Sequence, residues 1–294
     1  MKALGNYRMK KYSTPDEVFQ RAKNLIKNNI VKYDSVEHYK TMFSLIDYTT
    51  LDVTDTNKKV EKMVHYVNGF KEIKPDIPNV AAICVYPPFV STIKKHLTAS
   101  NVNIASVAGS FPSSQTTLEV KLIEVQHCLN NGADEIDIVL PVGKFIEEQF
   151  EDIFKEISIV KSLCGERRLK VILEVDALKD CNAIYNASFL AMDAGADFIK
   201  TSTGKIDRDK DKFEGRLLVM CDAINDFNAK IQSYMNDYKV AIKPAGGIKT
   251  AEHALQIYTL ISEVLRKEYQ NSKLFRIGAS SLTDSILSKI KSLS

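Results

Sequence analysis

The chain has 294 residues, is 45% hydrophobic and 26% charged, and carries a net charge of +3 at pH 7. These values are typical of soluble globular proteins, and so small an excess of positive charge does not favour a nucleic-acid partner. No apolar stretch approaches the roughly 18 residues that a membrane helix needs, so no membrane partner is expected. The length suffices for one large α/β domain or two ordinary ones.

Cysteine usage indicates the compartment. The five cysteines are widely spaced and include no C-x-x-C pair. This pattern argues against a disulfide framework or a zinc site and for a reducing compartment. Residues 1–11 are basic but lack the apolar core of a secretory signal, and we interpret them as a polar start rather than an organelle-targeting segment. We therefore predict a cytoplasmic protein.

Apolar residues recur at helical spacing before the first predicted strand. They are Pro15, Val18, Phe19, Ala22, Leu25 and Ile26. Thr14 is a suitable N-cap in front of a proline at the first helical position. We predict that residues 1–41 form an N-terminal extension of one or two helices packed over an end of the following fold. No linker marks a second domain, so residues 1–294 are expected to form one.

From residue 42 onward, short β-rich runs alternate with longer segments of helical periodicity. The predicted strands are Met42–Ile46, Val80–Tyr86, Asn103–Val107, Glu135–Leu140, Lys170–Val175, Phe198–Thr201, Val240–Lys243 and Phe275–Gly278. Several are almost entirely apolar, which is typical of parallel strands covered on both faces. Before two of them the chain repeats a Gly-Ala-Asp sequence, at Gly132 and Gly195, where a glycine can end a helix in the left-handed conformation.

Eight such units over about 250 residues predict an α/β fold, a (β/α)8 TIM barrel spanning residues 42–294. A doubly wound open sheet is the alternative, but the first strand and its turn lack the G-x-G-x-x-G pattern. The active site of a barrel lies at the carboxyl ends of its strands. Polar or reactive residues fall there at Asp47, Cys84, Asp137, Lys200, Lys243 and Gly278-Ala-Ser-Ser281.

Two lysines, Lys200 and Lys243, each end a predicted strand and precede a turn of small residues. Burying a lysine as a cation is costly, and two neighbouring lysines repel each other, so one could be neutral near pH 7. A neutral amine can attack a carbonyl carbon and form a Schiff base. We interpret Lys200 as the nucleophile and Lys243 as the group that lowers its pKa. Exchanged roles fit the pattern equally well, and an ordinary lysine at a strand end is the simpler alternative for each.

Two acids accompany the lysines. Asp137 lies inside a predicted strand, on the same face as Glu135, and a buried acid needs a partner. It is either a general acid/base or part of a structural salt bridge. Asp47 either orients a lysine or caps the turn after the first strand.

Three turns have the composition of a phosphate cradle: Thr203-Gly204-Lys205, Gly246-Gly247 and Gly278-Ala-Ser280-Ser281. Backbone N–H groups, helix N-termini, hydroxyls and lysines all favour an anion there. The histidines form no ligand-spaced pair, so a catalytic metal is not expected.

These motifs identify a family resemblance from about Phe43 to Ile290. The chain resembles the deoxyribose-phosphate aldolases, which are class I (Schiff-base) aldolases with a (β/α)8 barrel, and its N-terminal extension is similar to that of the eukaryotic branch. The matching motifs are Leu45-Ile-Asp-Tyr-Thr-Thr-Leu51, Ala82-Ile-Cys-Val-Tyr-Pro87, Gly132-Ala-Asp-Glu-Ile-Asp-Ile-Val139, Phe198-Ile-Lys-Thr-Ser-Thr-Gly-Lys205, Lys243-Pro-Ala-Gly-Gly-Ile248 and Phe275-Arg-Ile-Gly-Ala-Ser-Ser281.

The resemblance implies that Lys200 forms the Schiff base and that Asp137 and Lys243 transfer protons. Positions implied to contact phosphate are Gly204, Lys205, Gly246, Gly247, Ser280 and Ser281, with Thr203 and Lys249 beside them. The implied reaction is reversible cleavage of 2-deoxy-D-ribose 5-phosphate to D-glyceraldehyde 3-phosphate and acetaldehyde, and the resemblance implies that it requires no cofactor.

The sequence departs from the family pattern at several places. Lys249 replaces an arginine, Asp176 adds an acid after the fifth strand, and segment 206–213 is unusually charged. Two other functions therefore stay open: a Schiff-base aldolase of another sugar phosphate, or a barrel with little catalysis that serves as a binding scaffold. Apolar positions on the helices are compatible with a homo-oligomer, whose size the sequence does not give.

Overall fold

Eight parallel strands form the centre of the computed structural model, which describes residues 7–206, 209–231 and 238–294. They are β1 (Ile46–Thr49), β2 (Ala82–Val85), β3 (Asn103–Val107), β4 (Glu135–Val139), β5 (Arg168–Ile172), β6 (Phe198–Lys200), β7 (Ala241–Lys243) and β8 (Ile277–Ala279). Their order in the sheet is β7-β6-β5-β4-β3-β2-β1-β8. Bridges from Ile242 to Phe275 and from Ala245 to Gly278 join the two ends. The predicted TIM barrel is confirmed, and the open sheet is wrong.

Helices surround this barrel. They are α1 (Pro15–Asn29), α2 (Val36–Ser44), α3 (Asn57–Ile73), α4 (Val90–His96), α5 (Leu118–Asn130), α6 (Val142–Ile146), α7 (Phe150–Cys164), α8 (Val175–Leu178), α9 (Cys181–Asp193), α10 (Phe213–Ile231), α11 (Ala251–Leu265) and α12 (Leu282–Leu293). Within the described ranges, none is long and apolar enough to cross a membrane. Gly132 and Gly195 both have positive φ, 99° and 102°, as predicted where α5 and α9 end.

The first strand lies later in the chain than predicted. Residues 42–44 belong to α2, in which Tyr39, Met42 and Phe43 are buried at helical spacing. A short apolar run is ambiguous between strand and helix, and here the helical partners upstream decide it. Asp47 therefore lies inside β1 rather than after it. The predicted fifth strand also ends too late, because Val175 already begins α8.

The N-terminal extension follows the side of the barrel. Helix α1 begins at Pro15, as predicted, and packs against α10 and α11 rather than over an end of the barrel. Before it, the side-chain oxygen of Asn182 in α9 accepts hydrogen bonds from the backbone N–H groups of Lys11 and Tyr12, at 2.7 and 2.9 Å. Residues 1–6 of the extension, and residues 207–208 of the charged 206–213 segment, lie outside the described residues.

Candidate active site

A cluster of charged side chains fills the interior of the barrel. Because strand residues alternate in direction, charged residues of β1, β4, β5, β6 and β7, with one just before β8, point inward together. Four cations (Lys170, Lys200, Lys243 and Arg276) and three carboxylates (Asp47, Glu135 and Asp137) are each at most 3% exposed. With every group ionised, the cluster carries one positive charge in excess.

Asp137 lies at the centre of this cluster. Its Oδ2 accepts hydrogen bonds from Nζ of Lys200, at 3.0 Å, and from Nζ of Lys243, at 2.9 Å. Its Oδ1 accepts one from Nζ of Lys170, at 2.7 Å. The structure thus brings together the three residues predicted to be catalytic.

A second set of carboxylates supports the lysines. Nζ of Lys243 lies 2.5 Å from Oδ2 of Asp47, whose Oδ1 accepts a hydrogen bond of 2.6 Å from Arg276. Glu135 pairs with Lys170, at 2.6 Å, and with Arg276, at 2.8 Å. Asp47 therefore contacts Lys243 and Arg276, and its role in orienting a lysine stays a prediction.

The two lysines that the sequence left interchangeable differ in pKa. Burial lowers the pKa of Lys200, Lys243 lowers it further, and Asp137 opposes only part of this shift. Burial would also lower the pKa of Lys243, but Asp137 and Asp47 outweigh it and raise the value above normal. The neighbouring carboxylates Asp137 and Glu135 raise the pKa of Lys170 in the same way. Loss of the proton from Lys200 would leave three cations opposite three carboxylates, which is a balanced cluster.

The carboxylates of the cluster stay ionised. Burial alone would raise the pKa of Asp137, but Lys170, Lys243 and Lys200 hold it well below its usual range. Burial would likewise raise the pKa of Asp47, and Lys243 and Arg276 lower it instead. Among the described residues, no group of three His, Cys, Asp or Glu side chains is placed to hold a metal ion.

A cavity of about 290 Å³ opens at the carboxyl ends of the strands. Its lining includes eight of the predicted residues: Lys200, Thr203, Gly204, Lys205, Gly246, Gly247, Lys249 and Ser280. Lys200 therefore reaches the cavity, whereas Asp137 and Lys243 are fully buried. Ser281 lies at the start of α12, one residue beyond the lining. Cys84 is buried in β2, and burial raises the pKa of its thiol, so it stays protonated.

Two of the predicted phosphate turns lie against each other. Gly204, Gly246 and Gly247 all have positive φ, 78°, 91° and 68°, which a residue with a side chain adopts only with strain. Oγ1 of Thr201 accepts a hydrogen bond from the backbone N–H of Ala245, at 2.9 Å, and donates one to its carbonyl, at 3.0 Å. The backbones of the two turns therefore form one concave surface beside Lys205 and Lys249, which suits an anion.

Sequence reasoning missed two members of the cluster, Lys170 and Arg276. Each is a charged residue within or at the start of a predicted apolar strand, and that isolated charge was the available signal. Their partners lie far away in sequence: Lys170 is 33 residues from Asp137, and Arg276 is 229 residues from Asp47. Only the closed barrel shows that they meet.

Close packing over Lys243 gives a first test. A Cβ atom added at Gly278 would lie 2.8 Å from Cβ of Ala245 and 3.1 Å from Cε of Lys243. Gly278→Ala should therefore displace Lys243 and reduce turnover about tenfold or more, since overpacking costs roughly 1–3 kcal/mol. Steady-state kinetics and thermal unfolding would measure both effects. Gly69→Ala, at a helix position with open space, is the control: it should leave turnover unchanged and should not lower thermal stability, because alanine is the better helix former. Equal turnover in both variants would contradict the prediction.

A (β/α)8 barrel whose cavity is lined by a lysine of lowered pKa defines a class of enzyme, the lysine-dependent barrel aldolases. Comparison with known proteins agrees with this class. The model of the DeoC/LacD family aldolases matches residues 41–281. The chain belongs to this family, and it is an aldolase, a carbon–carbon lyase.

Two curated relatives are deoxyribose-phosphate aldolases. The mouse enzyme is 38% identical over 253 residues, which is 83% of this chain and 77% of that protein. The human enzyme is 37% identical over 255 residues, with the same two coverages. Among solved structures, the tetrameric deoxyribose phosphate aldolase from Aeropyrum pernix shares the fold with a TM-score of 0.69 and 24% identity, covering 92% of this chain and 99% of that chain.

Proposed function

We propose that this protein is a deoxyribose-phosphate aldolase that cleaves 2-deoxy-D-ribose 5-phosphate reversibly through a Schiff base on Lys200. The observation that carries the proposal is the position of Lys200. It is the lysine of the cluster that lines the cavity, it has a lowered pKa, and it contacts a buried carboxylate at 3.0 Å. The names of the mouse and human relatives support the choice of substrate.

The proposed reaction begins at Lys200. The neutral amine of Lys200 adds to the C1 aldehyde of the open-chain sugar, and loss of water gives a protonated imine. Removal of the proton on the C3 hydroxyl breaks the C2–C3 bond, and the electron pair moves into the imine to form an enamine. Glyceraldehyde 3-phosphate leaves, the enamine is protonated at C2, and hydrolysis releases acetaldehyde.

Asp137 and Lys243 take the remaining roles in the proposal. Asp137 handles the protons at C2 and at the C3 hydroxyl through a water molecule, because it lies behind Lys200 rather than in the cavity wall. Lys243 keeps its charge and so favours the neutral form of Lys200. The turns at Gly204 and Gly246-Gly247, with Lys205, Lys249, Ser280 and Ser281, hold the phosphate. Binding energy from the phosphate orients carbons that react some distance away.

Three coarser features complete the proposal. Residues 1–294 act as one domain, the protein is cytoplasmic, and it assembles as a homo-oligomer. Five free, buried cysteines agree with a reducing compartment. The tetramer of the Aeropyrum pernix relative supports an oligomer.

Borohydride trapping tests the proposed function. Reduction in the presence of 2-deoxy-D-ribose 5-phosphate should convert the imine into a stable secondary amine, which peptide mass mapping would place on Lys200. Lys200→Met is the control and should give no adduct. An adduct on Lys243 would exchange the two lysine roles. A clear preference for a non-deoxy sugar phosphate in parallel cleavage assays would contradict the substrate, and absence of both adduct and cleavage in folded protein would favour a scaffold.

A further inference from the structure

The loop after β6 is held in place by two carboxylates from the connection between β5 and α9. The structure describes residues 201–206 and 209 of this loop, called the β6 loop below, and Thr203, Gly204 and Lys205 contribute to the cavity wall. Glu174 accepts hydrogen bonds from the hydroxyl of Thr203, at 2.5 Å, and from its backbone N–H, at 3.3 Å. Glu174 thus fixes the part of the loop that lines the cavity.

Asp176 fixes the same loop at two other points. Its Oδ1 accepts a hydrogen bond of 3.1 Å from the backbone N–H of Asp209, and its Oδ2 lies 3.5 Å from the hydroxyl of Ser202. These contacts lie on either side of Gly204 and Lys205. Asp176 is buried, so the acid that the sequence placed near the barrel mouth is a structural anchor beneath the loop.

The charge of Asp176 is balanced by Arg216 of α10. Nη1 of Arg216 forms an ion pair with Oδ1 of Asp176, and the two side chains are 4% and 5% exposed. The buried Nε of Arg216 meets no hydrogen-bond acceptor within the described ranges. A buried ion pair fixes geometry strongly, because separating it leaves an uncompensated charge.

The N-terminal extension contacts α10 next to Arg216. The ring of Phe19 in α1 covers Gly215, where an added Cβ would lie 1.8 Å from the ring carbon Cδ1. Further along α10, Asp222 pairs with Arg21 of α1 at 2.5 Å and accepts a hydrogen bond of 2.9 Å from the hydroxyl of Tyr12, which precedes α1. Residues 1–40 of the extension lie outside the 41–281 range that matches the family model.

We propose that Asp176 and Arg216 are positioning residues for the phosphate of the substrate, and that the extension braces them through Phe19 and Gly215. Asp176 sets the position of Gly204 and Lys205, Arg216 holds Asp176, and α1 holds the turn of α10 that carries Arg216. The inference rests on the proposed function, because it takes the β6 loop as part of the phosphate site.

The first test weakens the contacts of Asp176 with the β6 loop and with Arg216. Asp176→Asn should raise the KM for 2-deoxy-D-ribose 5-phosphate about tenfold or more, since a contact to a charged group contributes roughly 1.5–3 kcal/mol. Borohydride trapping of acetaldehyde on Lys200, which involves no phosphate, should stay within about twofold of wild type. If Asp176→Asn fails to fold, Asp176→Ala/Arg216→Met removes the anchor without leaving a buried charge, and the same result is expected.

The matched control breaks another buried pair. Glu156 lies 2.5 Å from Lys121, and both side chains are about as buried as those of Asp176 and Arg216. Glu156→Gln should lower stability and leave the KM unchanged.

The second test is Phe19→Ala, which removes the contact of α1 with Gly215, and we expect it to raise the KM by less than Asp176→Asn does. Its control is Phe154→Ala, at a half-buried phenylalanine of α7, which should leave the KM unchanged.

The outcomes separate the two proposals. Wild-type protein that neither cleaves deoxyribose 5-phosphate nor traps it would overturn the proposed function. If wild type is active, an unchanged KM in both anchor variants would overturn the positioning role, and so would an equal loss of cleavage and acetaldehyde trapping. A raised KM in the Asp176 and Arg216 variants with an unchanged KM in Phe19→Ala would overturn the proposed support by α1.

Discussion

Asp137→Asn is expected to lower the free energy of unfolding by roughly 3–5 kcal/mol and to remove nearly all turnover. Removing one partner of a buried ion pair leaves charge without compensation, and that is the size of the usual penalty. Asp137 contacts three lysines, at 2.7, 2.9 and 3.0 Å, so its loss leaves three buried cations with one carboxylate partner fewer. Chemical denaturation and steady-state cleavage assays would measure the two effects.

Lys200→Met is the matched control. It removes the lysine whose pKa is already lowered, and it leaves three cations opposite three carboxylates. Its unfolding free energy should stay within about 1 kcal/mol of wild type, because replacing a buried charge by an apolar group of similar volume is often neutral. Turnover should vanish in this variant as well. A Lys200→Met protein as unstable as Asp137→Asn would show that Lys200 is charged in the resting enzyme.

Asp137 also makes the stability of the protein depend on pH, and the direction of this dependence can be stated. The folded-state pKa of Asp137 lies well below its normal value, so its contribution to stability is present above the normal pKa and is lost as pH falls through the folded value. The acid destabilisation that comes from this residue should therefore be absent in Asp137→Asn.

The barrel could be predicted from sequence because most strands carry local signals. Asn103–Val107 was predicted with its observed bounds, and Glu135–Leu140 extends only one residue beyond β4. The first strand was misplaced because residues 42–46 are apolar except for Ser44 and fit a helix as well as a strand, and the buried contacts of α2 decide between the two. Local patterns fix the kind of element more reliably than its limits.

The sequence predicted the site residues that stand at single strand ends, but not the contacts between residues of different strands. Lys200, Lys243 and Asp137 were found, but the difference between the two lysines was not, because it depends on which carboxylates surround each ammonium. Lys243 has two such neighbours, Asp47 and Asp137, whereas the carboxylate bonded to Lys200 is Asp137. The pairing of Asp176 with Arg216, which are 40 residues apart, was likewise invisible without the fold.

The charge count explains why so many buried ions occur in one barrel. A single buried lysine without carboxylate neighbours would also be neutral, but no ion pair would hold its amine in one orientation. Here the paired cations Lys170, Lys243 and Arg276 neutralise the carboxylates and leave Lys200 as the group in excess. The nucleophile is therefore selected by the balance of the whole cluster as well as by its own burial.

Lys243→Met is expected to shift the activity of the enzyme to higher pH. Lys243 lowers the pKa of Lys200, and its removal also frees Asp137 to interact more strongly with the remaining ammonium groups. Both changes raise the pKa of Lys200. Each unit of increase reduces the neutral fraction at pH 7 about tenfold, because the amine must lose its proton before it can attack. We expect the acid limb of the profile of kcat/KM against pH to move upward by about one unit or more.

Activity at high pH distinguishes the roles of Lys243. If Lys243 acts by its charge, the variant should recover a large part of its activity as the pH is raised, because a higher pH restores the neutral form of Lys200. If Lys243 instead donates a proton in the reaction, the loss should be similar at every pH. Borohydride trapping of acetaldehyde at each pH would separate imine formation from the later steps. Lys121→Met is the control, since Lys121 is a buried lysine paired with Glu156 outside the cluster, and its pH profile should match that of wild type.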